Sequence, residues 1–238
     1  MSPIDETPSW GLRGAFIQSF LASFRLRRVL ADRRVPSLEA NTEAHILETD
    51  DGARLQAHFT RPAHLPSREQ TVVLLHGWEG SHRSIYLHSL ACALHENGWP
   101  VVRLNLRDHG DTHHLNEEPF HSARLGEVLS ALQRIHRLQN QAIAVVGFSL
   151  GGNFALRVAI DGPDFGLPLT QVIAINPAVD PRATTEALDA EHAYRPYFRR
   201  KWNKTLQARR AAWPDGPDYA DLTLSLIHIS EPTRPLYI

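Results

Sequence analysis

The chain has 238 residues, 42% of them hydrophobic and 21% charged, a composition that supports a globular domain with a sizeable core. Its 25 Lys and Arg against 26 Asp and Glu leave a formal net charge of −1, so it lacks the global basic field used to hold a polyanion, and nucleic acid is not an expected partner. A single cysteine, Cys92, allows neither an internal disulfide nor a thiolate metal cage; no apolar run reaches the roughly 18 residues of a membrane span, and residues 1–10 lack a secretory signal's basic start, so the expected location is cytoplasmic.

In chain order, residues 11–30 place Leu12, Phe16, Phe20 and Phe24 on one helical stripe, with arginines on the other faces. This predicts an amphipathic helix that either packs on the domain or makes a peripheral membrane-surface contact. Residues 45–49 and 54–60 read as two strands joined at Asp50-Asp51-Gly52, a hairpin signal, followed by a polar loop over 62–70. From residue 71 the pattern becomes regular. The runs 71–75, 101–106, 142–148 and 171–175 are β-branched and apolar on both faces, as in a buried parallel sheet, and 84–97, 122–138 and 150–160 suit the crossover helices between them. Strand and helix alternating in this way predict a three-layer α/β fold with a mostly parallel sheet.

Tyr194, Phe198, Trp202 and Leu206 recur every four residues, while Lys and Arg fill the other faces with no acid between Arg195 and Arg210. This predicts a basic amphipathic helix within a segment spanning 183–212. It would lie as a lid over the site with Phe198 and Trp202 offered to an acyl chain, or else pack its stripe on the domain and leave its basic face in water. Residues 224–234 read LSLIHISEPTR, which is similar to the translation of a transposon-based sequencing adapter, and Pro235 and Ile238 fit its continuation. Residues 224–238 are therefore expected to be a read-through tail, leaving 1–223 as a partial domain.

The chemistry-bearing feature is Gly147-Phe148-Ser149-Leu150-Gly151, placed where a strand ends and a helix begins. G-x-S-x-G in that setting is a nucleophile elbow. The reversal brings the flanking backbone against neighbouring elements, so side chains at Gly147 and Gly151 would clash, and Ser149 is held strained above the sheet. The strand 71–75 runs into His76-Gly77-Trp78-Glu79-Gly80-Ser81, a loop able to supply half of an oxyanion hole. In acyl transfer the carbonyl oxygen turns negative in the tetrahedral intermediate, and the expected donors to it are the N–H groups of Leu150 and Trp78. Against this stands an ordinary Gly-rich strand-to-helix turn.

At these residues the chain resembles the α/β-hydrolase superfamily, and more narrowly its YheT-like branch, which includes the plant embryogenesis-associated proteins. The resemblance is carried by HGWEGSHRSIYLHSLACALHENGWPVVRLNLRDHGD from His76 to Asp111, GFSLGGN from Gly147, INPAVD from Ile175, and Gln18 within GAFIQSF. It implies an α/β-hydrolase fold and a serine carboxylic ester hydrolase, of short-chain carboxylesterase or monoacylglycerol lipase type. Such an enzyme forms an acyl-enzyme on Ser149, takes a small-molecule ester or lipid substrate and needs no cofactor. The superfamily order is nucleophile, acid, histidine, and here that order breaks. After Ser149 the histidines are His192 and His228, the second inside the suspected tail, and no strand and loop carrying an acid or a terminal histidine follows Leu206. The last strands are expected to be missing, with both triad partners, which leaves Ser149 a poor nucleophile and this chain inactive. Asp180 reads as a turn residue or an alternative acid. The cluster Asp108-His109-Gly110-Asp111-Thr112-His113-His114 matches no metal-site spacing and reads as a loop after a strand, so no metal is expected. Other readings are an acyltransferase or thioesterase, and a non-catalytic lipid-binding or interaction module.

Overall fold

The structure, a computed structural model, describes residues 34–63, 68–190 and 194–217. The expected helix over 11–30, His192 and the tail 224–238 lie outside the described residues. The elements in order are α1 (Val35–Ala40), β1 (Thr42–Glu48), β2 (Arg54–Thr60), β3 (Gln70–Leu75), α2 (Ile85–Glu96), β4 (Val101–Leu104), α3 (Leu125–Gln139), β5 (Ala142–Phe148), α4 (Leu150–Asp161), β6 (Leu169–Ile175), α5 (Pro181–Ala190) and α6 (Tyr194–Ala212).

They build one sheet in the order β1-β2-β4-β3-β5-β6. β1 and β2 form the hairpin expected at Asp50-Asp51-Gly52, where Gly52 takes φ 82° and the Thr49 N–H bonds the Ala53 carbonyl at 2.7 Å. β2 runs antiparallel to β4, while β4, β3, β5 and β6 are parallel. Alternation then sorts the side chains of the buried strands into two layers. Val73, Leu75, Val102, Ile143 and Val145 pack toward α3 and α4, with Leu132, Ile135, Phe154 and Val158. Val72, Leu74, Ala144 and Val146 face α1 and α2, where Leu38, Leu87 and Ala91 are fully buried.

The strand order reverses at β3, which lies between β4 and β5. Leu75 pairs with Gly147, so the loops after β3 and β5 leave the same end of the sheet side by side. Such a switch point is where open α/β sheets place ligands. β4 ends two residues earlier than its apolar run predicts, because the Leu106 N–H leaves the ladder to bond the His76 imidazole at 3.1 Å.

Candidate active site

At the end of β5 the chain reverses in a single residue. Ser149 has φ 52° and ψ −114°, a conformation that costs a non-glycine residue about 1–3 kcal/mol and persists only where its surroundings fix it. Three backbone hydrogen bonds do so: the Ser149 N–H donates to the Ile175 carbonyl at 3.0 Å, and its own carbonyl accepts from the N–H groups of Asn153 at 3.0 Å and Ala178 at 3.1 Å. The glycines on either side have no space for a side chain. A Cβ on Gly147 would lie 2.0 Å from the Gly151 carbonyl oxygen, and one on Gly151 would lie 2.5 Å from the carbonyl oxygens of both Leu75 and His76. Ser149 stands at the N-cap of α4, yet its hydroxyl makes no capping bond, and the residue is exposed.

The loop after β3 lies against this turn. A Cβ on Gly77 would be 3.2 Å from the Ser149 Cβ. The Gly80 N–H closes a tight turn onto the Gly77 carbonyl at 3.0 Å, with Trp78 and Glu79 as its central residues. The Gly77 N–H donates to the Tyr86 hydroxyl at 2.9 Å. Leu150 opens α4 at a position whose N–H has no intrahelical acceptor, so this donor and the Trp78 N–H stand in the loops that meet at Ser149.

His76 anchors the loop from below. It is fully buried; its Nδ1–H donates to the Gly77 carbonyl at 2.7 Å, and its Nε2 accepts from Leu106. Because Leu106 must donate, the ring is the neutral Nδ1–H tautomer, and burial pushes its pKa down to about 4. Its two nitrogens are committed, so it is no base for Ser149. Among the described residues no imidazole hydrogen-bonds the Ser149 hydroxyl.

α6 holds the loop from above. The Trp78 indole stacks on Phe198 with ring centroids 5.2 Å apart and planes 7° from parallel, and packs against Trp202 at 6.1 Å with the rings tilted by 50°. Trp202 and Leu206, 3% and 9% exposed, belong to the core itself. α6 therefore rests on the loop after β3, with Trp202 packed into the core while Phe198 stays half-buried. Glu79, Lys201 and Thr205 complete this contact and were not singled out by sequence. Lys201 Nζ donates to the Glu79 carbonyl at 2.9 Å, and Thr205 Oγ1 donates to its carboxylate at 2.9 Å. Their separation along the chain hides them from any local pattern.

Asp180 accepts the Ala183 N–H at 2.9 Å and so caps α5. The residues of the Asp108 cluster go to separate partners. Asp108 pairs with Arg209 at 2.5 Å and accepts the Phe120 N–H at 2.7 Å; His109 donates to the Arg107 carbonyl at 2.7 Å; Asp111 turns outward to Arg83 at 3.3 Å. Among the described residues, no three His, Cys, Asp or Glu side chains converge to hold a metal.

A mostly parallel sheet whose strand order reverses at β3, with a strained serine between β5 and α4, defines a three-layer α/β protein of the nucleophile-elbow class. Residues 70–220, more than half the chain, match the alpha/beta hydrolase fold family, and the chain belongs to that family. Over 132 residues it is 29% identical to the "Putative esterase YheT" of Escherichia coli (strain K12), covering 55% of this chain and 38% of that protein. Over 98 residues it is 33% identical to Ethanol acetyltransferase 1 of Cyberlindnera fabianii, covering 40% of this chain and 27% of that one. The chain thus spans well under half the length of these curated relatives. Among solved structures, a Pyrococcus furiosus esterase shares the fold at a TM-score of 0.52 and 18% identity, over 71% of this chain and 61% of its own. No helix among the described residues is long and apolar enough to cross a membrane.

Proposed function

We propose that this chain is the nucleophile-bearing part of a serine carboxylic ester hydrolase, of short-chain carboxylesterase or monoacylglycerol lipase type. The observation that carries the reading is the exposed Ser149 hydroxyl, held at φ 52° against the loop after β3. Ser149 Oγ attacks the ester carbonyl carbon, the carbonyl π electrons move onto oxygen, and the N–H groups of Leu150 and Trp78 receive the oxyanion. Collapse expels the alcohol and leaves an acyl-serine, which water then hydrolyses. A base must take the serine proton and return it to the leaving alkoxide, and the described residues place no histidine there. We place that base and its carboxylate partner outside the described residues. The state of β6 favours this: among the described residues it is the sheet's edge, with Ile173 40% exposed, and nearby Ile160 and Val179 are 74% and 70% exposed. Half-buried Phe198 is our candidate in α6 for contact with an acyl chain.

Acyl transfer is a second reading, favoured by the likeness to Ethanol acetyltransferase 1. It shares the acyl-enzyme and replaces water with an alcohol. Fluorophosphonate labelling followed by peptide mapping tests both. A chain extended with the coding sequence that follows codon 223 in the source genome should be modified at Ser149, and Ser149→Ala should abolish the label. No modification of Ser149 in the extended protein would overturn the hydrolase and transferase readings alike and leave the non-catalytic module. The 238-residue chain itself should hydrolyse p-nitrophenyl butyrate no faster than its Ser149→Ala variant; fast Ser149-dependent turnover would remove the case for missing partners.

A further inference from the structure

Phe198, Lys201, Trp202 and Thr205 are spaced by three, one and three residues, which puts them on one face of α6. That face takes hold of two consecutive loop residues. Phe198 and Trp202 pack on the Trp78 ring, while Lys201 bonds the Glu79 carbonyl and Thr205 bonds both oxygens of its carboxylate, at 2.9 and 3.2 Å. Glu79 has φ 55°, a left-handed conformation that a glutamate keeps only when held there. Trp78 and Glu79 are the central residues of the Gly77–Gly80 turn, so fixing Glu79 fixes the peptide geometry that aims the Trp78 N–H.

We propose that Glu79 is a positioning residue that couples α6 to the oxyanion-type loop, so that detachment of the helix and loss of the Trp78 donor from the site are one event. The chemical meaning of this coupling rests on the acyl-enzyme reading; the coupling itself is measurable without chemistry.

The charged and polar groups that face Glu79 are Lys201 and Thr205 from α6 and Asp108 from the segment after β4, Asp108 being paired with Arg209 of α6. Burial pushes the Glu79 carboxyl up to about 7, and the Asp108 charge adds to that, against the lowering effect of Thr205 and Lys201. A detached α6 exposes Glu79 to water, where its carboxyl returns to the ordinary value of 4.5. Detachment therefore releases a proton. It becomes easier as pH rises from 4.5, by about tenfold per unit, and levels off above 7.

Hydrogen exchange of the full 238-residue chain, read by mass spectrometry between pH 5 and 8 and corrected for intrinsic rates, tests this. In the unaltered protein the amides of residues 78–81 should exchange faster with rising pH, and the slope should flatten above 7. Glu79→Gln keeps a hydrogen-bonding partner for Thr205 but cannot ionise, so the loop should stay protected with no pH dependence. Glu79→Ala should raise exchange of the loop at least about tenfold at pH 5 while residues 150–153 keep their protection. If Glu79→Ala does not fold, Thr205→Val read at pH 8, where the Glu79 carboxylate is ionised, should raise exchange of the same loop amides, and wild-type protection there would overturn the coupling. Wild-type protection in a folded Glu79→Ala, or an unchanged pH slope in Glu79→Gln, overturns the coupling. Labelling of Ser149 is scored separately. Coupling without labelling in the extended protein refutes the acyl-enzyme reading alone, and labelling without coupling refutes this proposal alone.

Discussion

The two loops that meet at Ser149 are held by different means. The elbow is held by backbone: Gly147 and Gly151 are pressed against carbonyl groups, and Ser149 is tied by three main-chain hydrogen bonds. The loop after β3 is held by side chains, His76 beneath it and Phe198, Lys201, Trp202 and Thr205 above. A backbone contact has no rotamer to yield, whereas a side-chain clamp is adjustable and responds to pH. Ser149 is thereby held rigidly, while the loop after β3 is adjustable.

The sharpest way to break this contrast is to add one carbon to the elbow. Gly147→Ala places a methyl group 2.0 Å from a backbone oxygen, and neither strand nor helix has slack to move. The expected loss exceeds about 4 kcal/mol, enough to prevent folding of a marginal domain. Urea unfolding of Gly147→Ala within about 1 kcal/mol of the unaltered protein would show that the elbow is not held by close backbone approach.

Trp202→Ala comes next. Trp202 is 3% exposed and packs in the core as well as on Trp78, so its removal should cost about 3–5 kcal/mol. Unlike the glycine variant, the folded fraction should keep its elbow intact: exchange rises at residues 78–81 and not at 150–153. Equal loosening of both loops would erase the distinction between them.

This division also explains what the sequence discloses. The elbow is legible because its constraints lie within five residues, and G-x-S-x-G between a strand and a helix has little else to be. The four parallel strands are legible from runs apolar on both faces, with β5 matching residue for residue and β4 ending early only because a histidine 30 positions away captures the Leu106 N–H. The clamp is not legible. Thr205 and Glu79 are 126 residues apart, and neither belongs to a periodic pattern that marks it as a partner. For the same reason the α6 stripe, plain in sequence, does not disclose its contact with Trp78, which only the fold supplies.

Acid should act on the lower clamp. His76 is neutral in the fold with its pKa pushed to about 4 by burial, against an ordinary 6.5, and the stacked His58 and His82 are pushed in the same direction, also chiefly by burial. The unfolded chain binds more protons than the folded one below 6.5, so this stability is complete above that pH and is lost as pH falls toward 4. The urea midpoint should decline over that window. A flat midpoint down to pH 4 would contradict the neutral tautomer on which His76's bond to Leu106 depends.

The smallest effect should come from Thr205→Val, which keeps the shape of the side chain and removes one hydroxyl. The Glu79 carboxylate then loses its hydrogen bond from Thr205, worth about 1–3 kcal/mol because the acceptor is charged and largely desolvated. The penalty falls only on the ionised form, so it should be present at pH 8 and fade toward pH 5, where the carboxyl is neutral. Comparing urea midpoints of Thr205→Val and the unaltered chain at the two pH values reads this directly. A loss of equal size at both would mean that Thr205 serves α6 packing alone, and that the upper clamp is as insensitive to charge as the elbow.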